Sequence, residues 1–246
     1  MSAEVVGIIV AGALLGGFVN GLTGFGTGLT AIGLWLYVLP APVAASLVIA
    51  TSILAQVQNA PLIWRRIDWP RTLPFVIPAL AAVPLGAGIL SIADGRAIEF
   101  GVGLFLVLYA TVALARSEAI VVSWGGRPAD AGVGFASGLL GGLAGLSGPL
   151  MALWADLRGG GKEARRTLLQ TFNLVVLVAA LAGHAVAGHL TREVGYALLA
   201  ALPGTVLGAL AGAAVYRRMG DRGYRRAVLA LLLLNGCCLV LFARLR

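Results

Sequence analysis

The sequence predicts an all-α polytopic membrane protein built as two inverted homologous halves, with about 8 transmembrane helices and up to 10 helical segments when broken or re-entrant pieces are counted. Three observations predict it. Of the 246 residues, 59% are hydrophobic and only 11% are charged, whereas a soluble domain carries roughly 25% charged residues. So few polar groups cannot cover the surface of a chain this size in water, so the solvent is lipid. Several apolar stretches also reach the ~20 residues that a spanning helix needs. Finally, a short glycine-rich pattern occurs once in each half.

Taken in order, the apolar stretches fall at about 5–19, 27–40, 41–63, 72–93, 98–115, 131–143, 147–155, 168–187, 194–216 and 226–243. Those at 5–19, 27–40, 131–143 and 147–155 are short and interrupted by glycine. The 35 glycines suit helices that pack closely in a bilayer. Trp35, Trp64, Trp69, Trp124 and Trp154 mostly flank the stretches, as interfacial anchors do.

Charge sets the expected topology. Fourteen of the 18 Lys and Arg residues lie in segments 64–71, 116–130, 156–166 and 217–226. The positive-inside rule places all four in the cytoplasm. Residues 131–155 then enter and return as a broken pair. If 5–40 is the equivalent pair, the N-terminus is outside, and the C-terminus is outside despite Arg244 and Arg246; an even number of full crossings with both ends inside is the rival. The net charge of +8 is thus read as topology, not as affinity for nucleic acid.

The halves resemble each other in three places. "GGFVNGLTGFGTG" (16–28) resembles "SGLLGGLAGLSGP" (137–149), "QVQN" (56–59) resembles "QTFN" (170–173), and "VPLGAG" (83–88) resembles "TVLGAL" (205–210). This divides the chain into a first transmembrane repeat at 1–116, a cytoplasmic linker at 117–130 and a second repeat at 131–246. Inverted repeats with broken helices are a common carrier plan, with substrate held near the breaks.

The stretch "NGLTGFGTGLT" (20–30) takes its meaning from that plan. Glycine lets the backbone leave the helix, and the restarted helix presents unpaired N–H groups and a favourable dipole to an anion. In lipid those groups need protein, water or a ligand. A phosphate loop is excluded, because that motif needs a strand and a Lys before Ser or Thr, and the first half has no lysine. Candidate substrate contacts are Asn20, Thr23, Gly24, Gly26 and Thr27 at the first break, and Ser147, Gly148 and Pro149 at the second. Gln56, Asn59, Gln170 and Asn173 add side-chain amides.

Each candidate also has a plainer reading. Glycine and small hydroxyl residues are ordinary in helix contacts, and Gln56, Gln170, Asn20 and Asn235 suit interhelical hydrogen bonds. Asn59 and Asn173 suit helix caps. His184 reads as an interface residue, and Arg158, Arg165 and Arg166 as topology signals or as anion-steering charges. Asp68, Asp130, Asp156 and Glu99 lie at the edges of stretches, so no carboxylate relay or cation site is expected inside a span. No catalytic residue, metal ligand set or cofactor motif is found, so an enzyme is disfavoured. Adjacent Cys237 and Cys238 suggest no disulfide, and the acidic start at Glu4 suggests no cleaved leader.

The chain resembles the TauE/SafE sulfite exporter family, also called the four-toluenesulfonate uptake permeases. The likeness rests on its length, the two glycine-rich openings (the second "ASGLLGGLAGLSGPLMALW"), the "DWP" after the first basic loop, and the terminal "RRMGDRGYRRAVLALLLL". The resemblance implies a carrier of the bacterial cytoplasmic membrane with two homologous halves. It implies export of a small anion such as sulfite, a sulfonate or an organic acid. The partners expected are that anion and the lipid bilayer, with no nucleic acid; homo-oligomerisation is left open. A channel-like pore and a non-transporting scaffold subunit are the alternatives.

Overall fold

A computed structural model of the chain describes residues 2–62, 64–90, 95–115, 121–144 and 147–245. The described residues form ten α-helices: α1 (Ala3–Thr23), α2 (Thr27–Val38), α3 (Ala41–Asn59), α4 (Trp69–Leu90), α5 (Gly95–Ala115), α6 (Gly126–Ala144), α7 (Ser147–Leu157), α8 (Lys162–Val186), α9 (Arg192–Arg218) and α10 (Asp221–Leu245). Two 3₁₀ turns, Ala60–Leu62 and Trp64–Arg66, follow α3. Among the described residues, four helices are long and apolar enough to cross a membrane: Ala3–Thr23, Pro42–Asn59, Lys162–Val186 and Arg192–Arg218. This is an all-α multi-pass membrane protein.

The chain forms two compact units, Met1–Ile67 with Gln170–Met219, and Asp68–Leu169 with Gly220–Arg246. In the first unit α1 lies along α9. A Cβ added to Gly17 would sit 2.6 Å from the carbonyl oxygen of Thr205, and one added to Gly21 would strike the Ala209 carbonyl. Both contacts advance by four residues in the same sense, so the helices run parallel. The N-terminus therefore shares an end of this unit with residues 188–193, the end that the loop charges put outside.

Against α1, α2 folds back antiparallel: the Trp35 indole donates to the Ile9 carbonyl at 3.2 Å. Trp35 is fully buried among Ile9, Ala13, Ala44, Leu47, Ala197 and Ala201, so it is a core residue and not the interfacial anchor expected. Its apolar neighbours in sequence conceal that role. Trp64, Trp69 and Trp124 are exposed, as anchors would be.

In the second unit α6 runs parallel to α4, with Gly134 against the Phe75 backbone and Gly138 against Ala79. Gly236 of α10 packs on the Gly103 carbonyl of α5.

Two boundaries differ from the expected stretches. α1 continues four residues past the expected end at 19, because Gly17 and Gly21 are approach points for α9 rather than breaks. α8 begins at Lys162, inside what reads as a basic loop. Lys, Glu and Arg are good helix formers, and Glu163 in the first turn suits the helix dipole. Gln170 and Asn173 consequently lie more than two turns inside α8 instead of near its end.

Candidate functional site

The first glycine break is a tight reversal. Gly24 (φ 85°) closes α1 and Gly26 (φ 93°) opens α2, both in the left-handed region that only glycine enters without penalty. Phe25 between them is buried. The Gly24 N–H returns to the Asn20 carbonyl at 2.7 Å. The Thr23 hydroxyl lies 2.9 Å from the Val19 carbonyl and 3.0 Å from that of Phe25, so its hydrogen serves the turn. Across the break, Asn20 Nδ2 donates to Thr27 Oγ1 at 2.9 Å. At 12 residues, or ~18 Å, α2 is too short to cross the ~30 Å core of a bilayer.

The amide pair is set by a proline. Pro61 has no N–H to offer the Val57 carbonyl, and the Ala60 N–H turns to that carbonyl instead. The Gln56 carbonyl, which Ala60 would serve in a continuing helix, accepts from the Gln170 side chain at 3.0 Å. Asn59 bonds back to its own helix, Nδ2 to the Ala55 carbonyl at 2.9 Å. Asn173 is buried and engaged. The plainer readings therefore describe part of what these side chains do: Gln170 joins two helices, and Asn59 caps one.

They do not account for all of it. Gln56 is 0% exposed. Its Oε1 and Nε2 find no hydrogen-bond partner among the described residues, nor do Gln170 Oε1 and Asn20 Oδ1. Leaving a buried polar group unpaired costs ~1–3 kcal/mol. Four such atoms in one helical unit are a costly arrangement for purely structural side chains. Gln58 Oε1 and Thr171 Oγ1 are also buried without a partner among the described residues. They went unrecognised because each adjoins a better candidate, although "QVQN" does carry a second glutamine.

The other three candidates belong to the second unit. Ser147, Gly148 and Pro149 are the first residues of α7 and all are buried. α6 ends at Ala144, and the pairing of Gly145 with Gly24 falls on residues 145–146, outside those described.

A family model for the sulfite exporter TauE/SafE matches residues 8–239. The chain belongs to this family. No curated protein and no solved structure matches it. TauE/SafE proteins are membrane transporters.

In this TauE/SafE chain, the second unit holds a charged cluster that the sequence reading placed in a solvated loop. Asp156, 2% exposed, accepts from Arg165 at 2.7 Å, Arg225 at 3.0 Å and the Tyr109 hydroxyl at 2.8 Å. Arg166 is buried and engaged as well. Arg158 binds Asp130 at 2.8 Å and reaches the carbonyls of Val122, Trp124 and Gly126. It also stacks over Trp154, whose indole donates to Asp130. Arg158 and Arg165 are thus paired with carboxylates, which weighs against the reading of them as anion-steering charges. A tyrosine in an apolar run and an aspartate two residues after a tryptophan were the signals available.

Proposed function

We propose that the chain is a secondary carrier of the bacterial cytoplasmic membrane that exports a small anion by alternating access. One observation supports this reading above the others: Gln56, Gln170 and Asn20 are buried, and each keeps at least one side-chain polar atom without a partner among the described residues. A ligand satisfies such atoms at no lasting cost to the fold, whereas an apolar core would simply omit them. Thr27, Asn59 and Asn173 complete the proposed contacts in the first unit; Ser147, Gly148 and Pro149 are proposed contacts of the second unit, taken by itself. Thr23 acts through the shape of the turn.

On Gln56, Gln170 and Asn20 the unmet atoms comprise one amide donor, Gln56 Nε2, and three acceptor oxygens. They favour a ligand that both accepts and donates hydrogen bonds, such as a hydrogen-bearing oxyanion (hydrogensulfite or a hydroxy acid) over a fully deprotonated one. Counterflow in proteoliposomes with sulfite, sulfate, sulfoacetate, acetate and lactate tests the reading. Saturable exchange of at least one of these supports it. Flux that never saturates indicates a pore, and no flux indicates a non-transporting subunit.

A further inference from the structure

The second unit carries a groove lined by none of the residues proposed to contact the anion. Pro70, Leu73, Pro74, Ile77 and Pro78 of α4 face Arg127, Pro128 and Ala131 of α6 across an apolar groove of about 570 Å³. That volume lies within the ~300–1,000 Å³ usual for small-molecule sites. The sequence builds it in two ways. Prolines at 70, 74 and 78 repeat every four residues, so they share one face of α4. Lower down, Gly134 and Gly138 draw α6 hard against Phe75 and Ala79, while above them Pro128 and Ala131 offer little bulk to fill the space.

The position of the groove identifies its occupant. Leu73 and Ile77 are exposed, as lipid-facing side chains are. α4 and α6 run parallel, so the groove mouth lies at the start of both, near exposed Trp69 and Trp124. Those residues mark the interfacial level. Arg127 lines the groove, and Arg71, also exposed, adjoins Pro70. The loop charges put this end in the cytoplasmic leaflet, where anionic lipids concentrate.

We infer that this groove binds an anionic phospholipid, with one acyl chain along the proline face of α4 and the headgroup phosphate at Arg127 and Arg71. Lipid tails are as apolar as the groove walls, so the tail fills the space without choosing among lipids. Selection falls to the headgroup, through charge-assisted hydrogen bonds from guanidinium to phosphate and attraction for a net negative head.

The experiment is native mass spectrometry of the purified full-length protein. It would be titrated with phosphatidylglycerol or phosphatidylcholine of the same chains, with glycerol 3-phosphate as a soluble competitor. Phosphatidylglycerol should be retained in preference. Arg127→Gln should lower that preference about fivefold, the equivalent of the ~1 kcal/mol per basic residue at a membrane surface, and Arg127→Lys should restore most of it. Ile77→Trp should fill the groove and reduce retention of both lipids. Equal retention of the two lipids, a preference unmoved by Arg127→Gln, or a retention unmoved by Ile77→Trp would overturn the proposal. So would displacement by glycerol 3-phosphate alone, or a lipid-independent dimer that Ile77→Trp abolishes. If Arg127→Gln does not fold, salt decides on the native chain: the preference should weaken as ionic strength rises, and a salt-insensitive preference would overturn the assignment.

Discussion

The side-chain amide of Gln170, more than two turns into α8, donates to the backbone carbonyl of Gln56 in α3 at 3.0 Å. A proline two positions beyond Asn59 makes that carbonyl available. The bond uses only one of Gln170's two amide atoms and neither of Gln56's. It holds two buried glutamines in one unit while leaving Gln56 Oε1, Gln56 Nε2 and Gln170 Oε1 without a partner among the described residues.

Gln170→Leu removes the donor and orphans the Gln56 carbonyl. The expected loss is ~1–3 kcal/mol of stability, together with slower transport. Thermal unfolding in detergent checks the first and proteoliposome uptake the second. Unchanged stability would mean that the carbonyl is satisfied by other means.

The reversal between α1 and α2 depends on two left-handed glycines. Gly24→Ala and Gly26→Ala should each cost ~1–2 kcal/mol, the penalty of that backbone region for a residue with a Cβ. Gly33→Ala is the control: it has open space around its Cβ position and lies within α2, so it should be neutral or slightly stabilising. Melting temperatures of the three variants separate the cases. Equal effects would show that the turn is not the source of the requirement.

These glycines show what the sequence could reveal. Gly24 and Gly26 are two residues apart between runs of helical apolar sequence, so a break there is a local property and was readable. Gly17 and Gly21 look the same on paper, yet they lie inside α1 because α9, more than 180 residues onward, presses its backbone against them. No local rule reports a partner that distant. The amides of Gln56 and Gln170 were legible as a repeated motif, but the bond from the Gln170 amide to the Gln56 backbone carbonyl was not, since it depends on where Pro61 ends α3. Asp156 was misplaced because a carboxylate flanked by Arg158, Arg165 and Arg166 reads as a solvated loop. Burial with Tyr109 and Arg225 is a tertiary fact.

Asp156 anchors α5, α7, α8 and α10 in the second unit through Tyr109, Arg165 and Arg225. Asp156→Ala leaves two guanidinium groups beside each other with their shared carboxylate gone. Breaking a buried pair this way typically costs ~3–5 kcal/mol, so the variant should fold poorly or melt far below the parent. Asp156→Asn, which keeps an acceptor for Tyr109, should lose less. A melting temperature for Asp156→Ala within a degree or two of the parent would show that the cluster contributes little.

Gln56→Leu tests the proposed site most directly, because stability and transport should move in opposite directions. Leucine is close in size and carries no polar atom, so it removes two buried unpaired groups while leaving the carbonyl that Gln170 uses. Sulfite counterflow in proteoliposomes, measured beside thermal stability, should show a variant at least as stable as the parent whose exchange is reduced tenfold or more. A variant that exchanges sulfite with the parent's KM and maximal rate would contradict a substrate site at Gln56.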